Sequence, residues 1–421
     1  MIDQNTLLIQ GEIRKDMNGE FHEIDGGITA AQGYRAAGIF CGIKRQKKDL
    51  ALVLSDVPAT AGAVLTTNKV QAAPVIQVKE QLSKGIFFRA LVVNSGNANA
   101  CTGEQGYNDA WIMAESTAQA LGILRNEVFV SSTGVIGQFL PMDKIVSGIR
   151  AAAELLTVEG GANAAEAIMT TDTFSKQCAV EFTLGGKTVR IGGMAKGSGM
   201  IAPNMATMLA FVTTDAAVAP GLLQQIVRET SNRSFNRITV DGDTSTNDMV
   251  IVMANGKSGA REITGASSAE TAAFIAALEH VLVRLSKMIV VDGEGATKFV
   301  EITVTGARTE EEAATAARAV ANSSLVKTAI HGEDANWGRI LCAVGYSGIE
   351  FNPDVVEIHL GGVPILRKGY QIDFSEEEAK KVLVQKEITI TIALHQGEAS
   401  ATFWTCDLTK DYVAINANYR T

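Results

Sequence analysis

Short apolar runs rich in β-branched residues recur along most of the chain, and several stretches between them have the spacing of amphipathic helices. The predicted strands cover residues 50–57, 89–95, 127–132, 188–193, 248–254, 299–306, 355–360, 387–394 and 400–408. The predicted helices cover residues 222–230, 268–288, 313–321 and 375–384. Strands that alternate with helices predict a layered α/β protein in which helices cover sheets.

Two of the predicted helices are preceded by the spacing of a capping box. Ser267 is followed by Glu270, and Thr309 is followed by Glu312. In such a box the hydroxyl accepts a hydrogen bond from a backbone N–H, and the acidic side chain reaches back to the cap residue. We therefore expect Ser267 and Thr309 to cap these helices.

Composition excludes several classes of protein. The 421 residues, 46% hydrophobic and 20% charged, are typical of a globular chain that is long enough for two cores. The net charge of −9 and the lack of an extended basic run argue against a nucleic-acid partner. No apolar run approaches about 18 residues and the first residues lack a secretory pattern, so we expect no membrane partner and a cytoplasmic location. The domain boundaries are poorly marked, and we expect a large first domain and a smaller α/β domain after about residue 300.

Cysteine and histidine residues are scattered along the chain and show no metal-type spacing. The five cysteines are Cys41, Cys101, Cys178, Cys342 and Cys406. This pattern predicts buried free thiols in a reducing cytosol rather than a disulfide framework, and it predicts no metal site.

Two motif-like segments lack the context that their usual function requires. Residues 197–202, GSGMIA, match a dinucleotide-binding fingerprint, but Pro203 and a β-type run follow where that motif needs a helix. Residues 241–248, DGDTSTND, have the alternating oxygens of a calcium loop but not its glycine and its terminal acid. We interpret the second segment as a polar turn between strands.

A buried-strand pattern begins abruptly at Thr207, directly after a glycine-rich stretch that is broken by Pro203. One interpretation is a threonine at a strand edge that bonds to its own loop. The other is a nucleophile, because an N-terminal threonine can use its own α-amine as the base. That chemistry requires cleavage of the chain between Ala206 and Thr207. It also requires an oxyanion hole, for which Thr133 and Gly134 at the end of a predicted strand could supply a hydroxyl and an amide N–H.

The segment 195–216, AKGSGMIAPNMATMLAFVTTDA, resembles the self-cleavage segment of the ornithine acetyltransferases, which are arginine-biosynthesis enzymes. Nearly the whole chain shares this resemblance. The other matching stretches are 65–75, 93–103, 132–137, 140–145, 170–173, 239–248, 291–299, 334–340 and 415–421. Ala335, Asn418 and the segment 31–38 depart from the usual family pattern, and none of them matches a functional position.

The resemblance implies a fold and a set of roles. The implied fold is a layered αββα sandwich, similar to that of N-terminal-nucleophile enzymes but with different connectivity. Cleavage would give an alpha fragment, 1–206, that contains the oxyanion hole, and a beta fragment, 207–421, that starts with the nucleophile. Thr207 resembles the family's nucleophile, and Thr133 and Gly134 resemble its oxyanion hole. The implied substrate-binding residues are Thr173, Lys196, Thr207, Glu294, Asn416 and Thr421.

The implied reaction is ping-pong transfer of an acetyl group from N2-acetylornithine to glutamate, without a cofactor. Lys196 and Glu294 would match the carboxylate and the ammonium of N2-acetylornithine, although the pairing could be reversed. The resemblance further implies an assembly of two alpha and two beta fragments, and it leaves open whether acetyl-CoA also serves as a donor. Two alternatives stay open: a related self-cleaving aminopeptidase or amidohydrolase, and a binding protein that never cleaves.

Overall fold

The computed structural model describes residues 21–85, 87–202 and 208–418. Three predicted site residues, Ala206, Thr207 and Thr421, lie outside the described residues. Along the described chain no helix has both the length and the apolar character needed to cross a membrane.

Within these ranges, nine strands form one extended mixed sheet, with the order β1-β6-β7-β8-β9-β3-β4-β5 and with β2 paired to β3. The strands are β1 (Phe21–Ile24), β2 (Tyr34–Ile39), β3 (Leu50–Leu65), β4 (Phe88–Asn97), β5 (Val128–Val135), β6 (Lys176–Leu184), β7 (Lys187–Lys196), β8 (Leu209–Thr214) and β9 (Met249–Ala254). The long strand β3 belongs to two half-sheets. Its first part pairs with β2 and β4, its second part pairs with β9, and its register with β4 shifts between Leu54 and Ala59.

The two half-sheets face each other across a hydrophobic core. Alternate side chains of a strand point to opposite faces, so β3 contributes side chains to two different cores. On β3, Ala51 and Val53 join a core between the half-sheets, which also includes Phe211 and Ile251 from β8 and β9. Leu50 and its alternate neighbours point the other way, into a core formed with helices.

Helices cover both outer faces of the paired half-sheets. The helices of this part are α1 (Ala73–Lys84), α2 (Gly103–Leu121), α3 (Met142–Glu154), α4 (Gly161–Ala167), α5 (Pro220–Arg233) and α6 (Ala269–Val291). Helices α2 and α3 pack on the half-sheet of β4 and β5, and α5 and α6 pack on the half-sheet of β7, β8 and β9. The predicted αββα layering is therefore confirmed.

Another sheet, of five strands in the described ranges, follows in the order β12-β11-β13-β10-β14. Its strands are β10 (Phe299–Ala307), β11 (Glu357–Leu360), β12 (Val363–Leu366), β13 (Glu387–Ala393) and β14 (Ala399–Cys406). The remaining helices are α7 (Glu310–Asn322), α8 (Ser324–His331), α9 (Trp337–Gly345), α10 (Glu376–Leu383) and α11 (Lys410–Asn418). Strands β10 to β14 and helices α7 to α10 enclose a hydrophobic core of their own.

Helix caps and thiols provide local tests of the sequence analysis. Thr309 caps α7 as predicted, since its hydroxyl accepts a hydrogen bond from the Glu312 N–H. The predicted cap Ser267 is wrong by one residue, because Ser268 caps α6 and accepts from the Thr271 N–H. Either serine has the hydroxyl that a cap needs, so the residue type alone could not decide between them.

The prediction of buried thiols is correct for only part of the set. Cys178 and Cys406 are buried, whereas Cys101 and Cys342 are exposed and Cys41 is intermediate. All five thiols are free.

Candidate active site

The proposed oxyanion donors lie at the carboxyl end of β5, where this strand runs parallel to β4. Thr133 is buried, and Gly134 is paired with Gly96. Gly134 has a φ of +133°, and a Cβ atom built there would lie 2.3 Å from the Gly96 carbonyl carbon. Both the backbone angle and the close approach require glycine at this position.

Asn247 and Asp248 connect this strand end to the start of β8. The Asn247 side-chain amide donates hydrogen bonds to the carbonyl oxygens of Ala98, at 2.6 Å, and of Ser132, at 2.8 Å. The carboxylate of the next residue, Asp248, accepts a hydrogen bond of 3.0 Å from the Met208 N–H. Met208 directly follows the predicted nucleophile, so two consecutive residues bridge the predicted oxyanion strand and the predicted cleavage segment.

Sequence reasoning missed this bridge. The residue pattern of the segment that ends in Asn247 and Asp248 predicts only a polar turn, and its place in the family resemblance is the one sign of a further role. Its first carboxylate, that of Asp241, accepts hydrogen bonds from the amides of Met200 and Ile201, at 2.6 and 2.8 Å. Within the described ranges, no group of three metal-type side chains is placed to hold an ion.

The Asp248 carboxyl is fully enclosed, with 1% of its surface exposed. Burial raises the pKa of Asp248 well above its usual range, although the Met208 amide and the Lys196 ammonium act in the opposite direction. The backbone oxygen of Asp248 accepts a hydrogen bond from the Thr66 N–H, which ties the end of β3 to the same place.

Lys196 is the last residue of β7 and is paired with Leu209 of β8, next to Met208. Only 3% of its surface is exposed. Burial lowers the pKa of Lys196, while the nearby carboxylates of Asp172, Glu294 and Asp248 act to raise it. A buried cation at this place is suited to bind a substrate carboxylate.

Thr173 lies at the surface, and its position is set by Asp292. The Thr173 N–H donates to the Asp292 carboxylate at 3.0 Å, and the Thr173 hydroxyl donates to the other oxygen of the same group. The Ser198 hydroxyl donates to the Asp292 carbonyl oxygen at 2.5 Å. The Thr173 loop and the glycine-rich loop after β7 are thus both attached to the end of α6.

Glu294 contacts the same glycine-rich loop. Its backbone N–H donates to the Ser198 carbonyl oxygen at 2.9 Å, and a Cβ atom on Gly199 would come within 2.3 Å of its carboxylate. The Asn416 side-chain amide donates to the Glu294 carboxylate at 2.8 Å. The absence of a side chain at Gly199 therefore makes room for Glu294, which Asn416 then orients.

Helix α11 brings Asn416 to this place through polar contacts. None of the side chains of Lys410–Asn418 is buried. The Tyr412 hydroxyl is 3.3 Å from the Asp241 carboxylate, and the Thr409 hydroxyl donates to the Gly295 carbonyl oxygen at 2.7 Å.

Comparison with known proteins places the chain in a family. The model of the ArgJ family matches residues 35–421. The chain belongs to the ArgJ family. The family membership expected from the sequence motifs is thereby confirmed.

The curated relatives of this ArgJ-family chain match it over almost their full length. The arginine biosynthesis bifunctional protein ArgJ of Symbiobacterium thermophilum is 57% identical over 399 residues, 94% of this chain and 99% of the relative. The protein of the same name from Caldanaerobacter subterraneus subsp. tengcongensis is 53% identical over 402 residues, with the same two shares.

Solved structures of ArgJ-family proteins match shorter parts of the chain. The argJ protein of Bacillus halodurans is 48% identical, with a TM-score of 0.48, over 50% of this chain and 98% of that one. The ornithine acetyltransferase of Mycobacterium tuberculosis, complexed with ornithine, is 42% identical, with a TM-score of 0.41. The match covers 44% of this chain and 99% of that one.

In this ArgJ-family chain, contacts link every predicted site residue that the structure describes. The Asn247–Asp248 bridge joins the strand end of Thr133 and Gly134 to Met208, and Lys196 is paired beside Met208. The glycine-rich loop after Lys196 joins Thr173 to Glu294, and Glu294 is bonded to Asn416. Asp172, Lys176, Asp292 and the Asn247–Asp248 pair are the neighbours that sequence reasoning did not single out.

Proposed function

We propose that this chain is a glutamate N-acetyltransferase of arginine biosynthesis, which cleaves itself between Ala206 and Thr207 and then uses Thr207 as its nucleophile. The observation that carries the proposal is the Asn247–Asp248 bridge. It brings the end of β5, where an oxyanion hole would be needed, to the residue that follows Thr207. The names of the relatives support a role in arginine biosynthesis.

In the first half-reaction the α-amine of Thr207 takes the proton of its own hydroxyl, and the oxygen attacks the acetyl carbonyl of N2-acetylornithine. The Thr133 hydroxyl and the Gly134 N–H stabilise the negative oxygen of the tetrahedral intermediate. Collapse of this intermediate breaks the amide bond, and the Thr207 ammonium returns the proton to the α-nitrogen of ornithine as it leaves.

In the second half-reaction the α-amine of glutamate attacks the acetyl-Thr207 ester. The ester bond then breaks, and the proton lost by the glutamate nitrogen passes through the Thr207 α-amine to the Thr207 oxygen, which restores the hydroxyl and releases N-acetylglutamate. Lys196 binds the carboxylate that both substrates share, and Glu294 faces the ornithine ammonium. Thr173 and Asn416 supply groups that can turn to suit either side chain, and Thr421 is assigned to the site by the family resemblance alone.

Further parts of the proposal concern the whole protein. The word bifunctional in the names of the relatives supports a second activity, which we assign to acetyl-CoA-dependent synthesis of N-acetylglutamate. The biosynthetic role supports a cytoplasmic location, and the family resemblance supports an assembly of two copies each of fragments 1–206 and 207–421.

The first test concerns cleavage. Expression of the full chain should give two bands on a denaturing gel, and the second fragment should begin Thr-Met-Leu-Ala. Replacement of Thr207 by Ala should leave one intact and inactive chain, because both steps need the hydroxyl. One full-length band from the unaltered chain would instead indicate a binding protein, and another start residue would remove Thr207 from its role.

The second test separates transfer from hydrolysis. Ornithine release from N2-acetylornithine should depend on glutamate and be matched by N-acetylglutamate. Release that is indifferent to glutamate, with acetate as the product, would identify a hydrolase of the related aminopeptidase type.

A further inference from the structure

Lys176, at the start of β6, is a buried lysine that the proposed reaction does not use. Its ammonium lies 2.6 Å from the Asp172 carboxylate and 2.5 Å from the Asp292 carboxylate. The side chains of Lys176 and Asp172 are completely buried, and that of Asp292 is 2% exposed. One ammonium therefore lies between two carboxylates in the protein interior.

Each of the two carboxylates also holds a loop of the proposed substrate site. Asp172 accepts a hydrogen bond of 2.7 Å from the N–H of Gly197, the residue directly after Lys196. Asp292 accepts the N–H and the hydroxyl of Thr173. The cluster thus sets the position of Lys196 relative to Thr173.

The charges in this cluster do not sum to zero, and a buried net charge is stabilised by a further group of opposite sign. Burial of a second carboxylate costs free energy. One counter-ion already compensates the Lys176 ammonium, so a second carboxylate adds little net stability. Two carboxylates and one ammonium leave a charge of about −1, and the buried Lys196 lies within electrostatic range of Asp172. The positive charge of Lys196 can therefore neutralise the surplus negative charge of the cluster.

We propose that Asp172, Lys176 and Asp292 form a positioning cluster, which holds Lys196 in place and keeps it positively charged for a substrate carboxylate. The proposal rests on the proposed function in one respect, namely that Lys196 contacts the substrate. Asp172 and its partners act through Lys196 and Thr173 and do not take part in the chemical steps.

The electrostatic surroundings of Lys196 agree with this role. Burial lowers the pKa of Lys196, and Asp172 is its strongest opposing neighbour. Glu294 and Asp248 also act to raise the pKa, whereas the Lys176 ammonium lowers it. The Lys44 ammonium is a second positive charge within range of Lys196. Loss of the Asp172 charge should therefore let Lys196 release its proton at a lower pH.

The test is the pH dependence of kcat and KM on the processed enzyme, with N2-acetylornithine and glutamate, from about pH 6 to pH 10. In Asp172→Asn the alkaline limit of kcat/KM should move down by about 1 pH unit, the size expected when a close opposite charge is removed. The change should lie mainly in KM, because Lys196 binds substrate. A limit that stays in place in this variant would overturn the proposal.

A double variant distinguishes charge from mere structure. Asp172→Asn combined with Lys176→Met removes one charge of each sign, and these two charges act in opposite directions on the pKa of Lys196. The alkaline limit should then return to within about 0.5 pH unit of the unaltered enzyme. If the cluster had only a structural role, the alkaline limit would be displaced further in the double variant than in Asp172→Asn, because the loss of two groups would damage the site more than the loss of one. If the single variant does not fold, the double variant decides the question alone, and a limit displaced by about 1 unit contradicts the proposal.

Asp215→Asn is the matched control. Asp215 is also buried and also accepts two backbone amides, those of Gln32 and Arg190. It lies at the opposite end of β7, about 20 Å from Lys196 at about 3.3 Å per strand residue. Its replacement should leave the alkaline limit unchanged, and an equal shift in this variant would show that any buried carboxylate matters.

Failure of the proposed function gives a different result. If the unaltered enzyme transfers no acetyl group, the proposed function is wrong whatever the variants do. Calorimetric titration with glutamate over the same pH range then tests the cluster directly. Binding that is lost at the same pH in the unaltered protein and in Asp172→Asn would overturn the cluster's role.

Discussion

At the scale of single residues, the site depends on positions where a side chain cannot be added. Gly134 is such a position, because its φ is +133° and a Cβ would lie 2.5 Å from the Asn97 nitrogen. Sequence reasoning selected Gly134 as an unobstructed amide. The structure adds that the close pairing of β4 and β5 depends on it.

Gly134→Ala should therefore force β4 and β5 apart, at a cost of about 3 kcal/mol, and should lower acetyl transfer because the Thr133–Gly134 donors move. Gly137→Ala, two residues after the end of β5, is the matched control, since Gly137 also has a positive φ, +77°, but open space around its Cβ position. Backbone strain alone should cost about 1 kcal/mol there. The thermal unfolding midpoints of the two variants measure the difference. Equal losses would show that the clash with β4 is relieved without cost.

At the scale of elements, helix α11 is attached to the rest of the protein through hydrogen bonds of polar side chains. Its two asparagines provide a natural comparison, because both are exposed and lie two residues apart. The Asn416 side chain reaches the Glu294 carboxylate, whereas the contact that the Asn418 side chain makes within the described part of the chain is to the Ala414 carbonyl oxygen of its own helix.

We expect Asn416→Ala to raise the KM for N2-acetylornithine about tenfold or more, since the loss of one hydrogen bond to a charged group costs at least about 1.5 kcal/mol. Asn418→Ala should leave KM unchanged, and neither variant should affect cleavage. Steady-state rates on the processed proteins check this. A rise in KM of the same size in both variants would indicate a general loosening of α11 rather than a contact with Glu294.

At the scale of the whole molecule, the two proposed fragments are interleaved. Strands β8 and β9, from residues after 207, lie between β7 and β3, which come from residues before 206. Each of β8 and β9 is hydrogen-bonded on one side to a strand of the other fragment. Separation of the fragments would therefore break the middle of the sheet and open the core between the half-sheets.

Cleaved protein should consequently behave as one folded unit. With an affinity tag on the carboxyl end only, native purification should recover both fragments in equal amounts, because the shared sheet holds them together. Purification in a denaturant should recover only the tagged fragment, which serves as the control. Loss of the untagged fragment under native conditions would contradict the interleaved order of the strands.

The sequence by itself determined the features that depend on local periodicity and on residue type. Alternating apolar runs predicted β3, β4, β7 and β13, and the apolar stripe of residues 268–288 predicted α6, because a strand or helix repeats its buried side every two or every three to four residues. The family motifs predicted site roles for Thr133, Gly134, Lys196 and Glu294, since those residue types fall within distinctive local stretches. Cap positions were predictable only to within one residue, as Ser267 and Ser268 show.

The tertiary structure alone decided how these stretches meet. Asn247 and Ser132 are 115 residues apart, and Thr173 and Asp292 are 119 apart, so no local pattern records either contact. The cluster of Asp172, Lys176 and Asp292 likewise exists only because β6, β7 and the end of α6 converge. A buried charge is stabilised by whichever partners the fold brings to it, and those partners are set by the packing of whole strands and helices rather than by their neighbours in sequence.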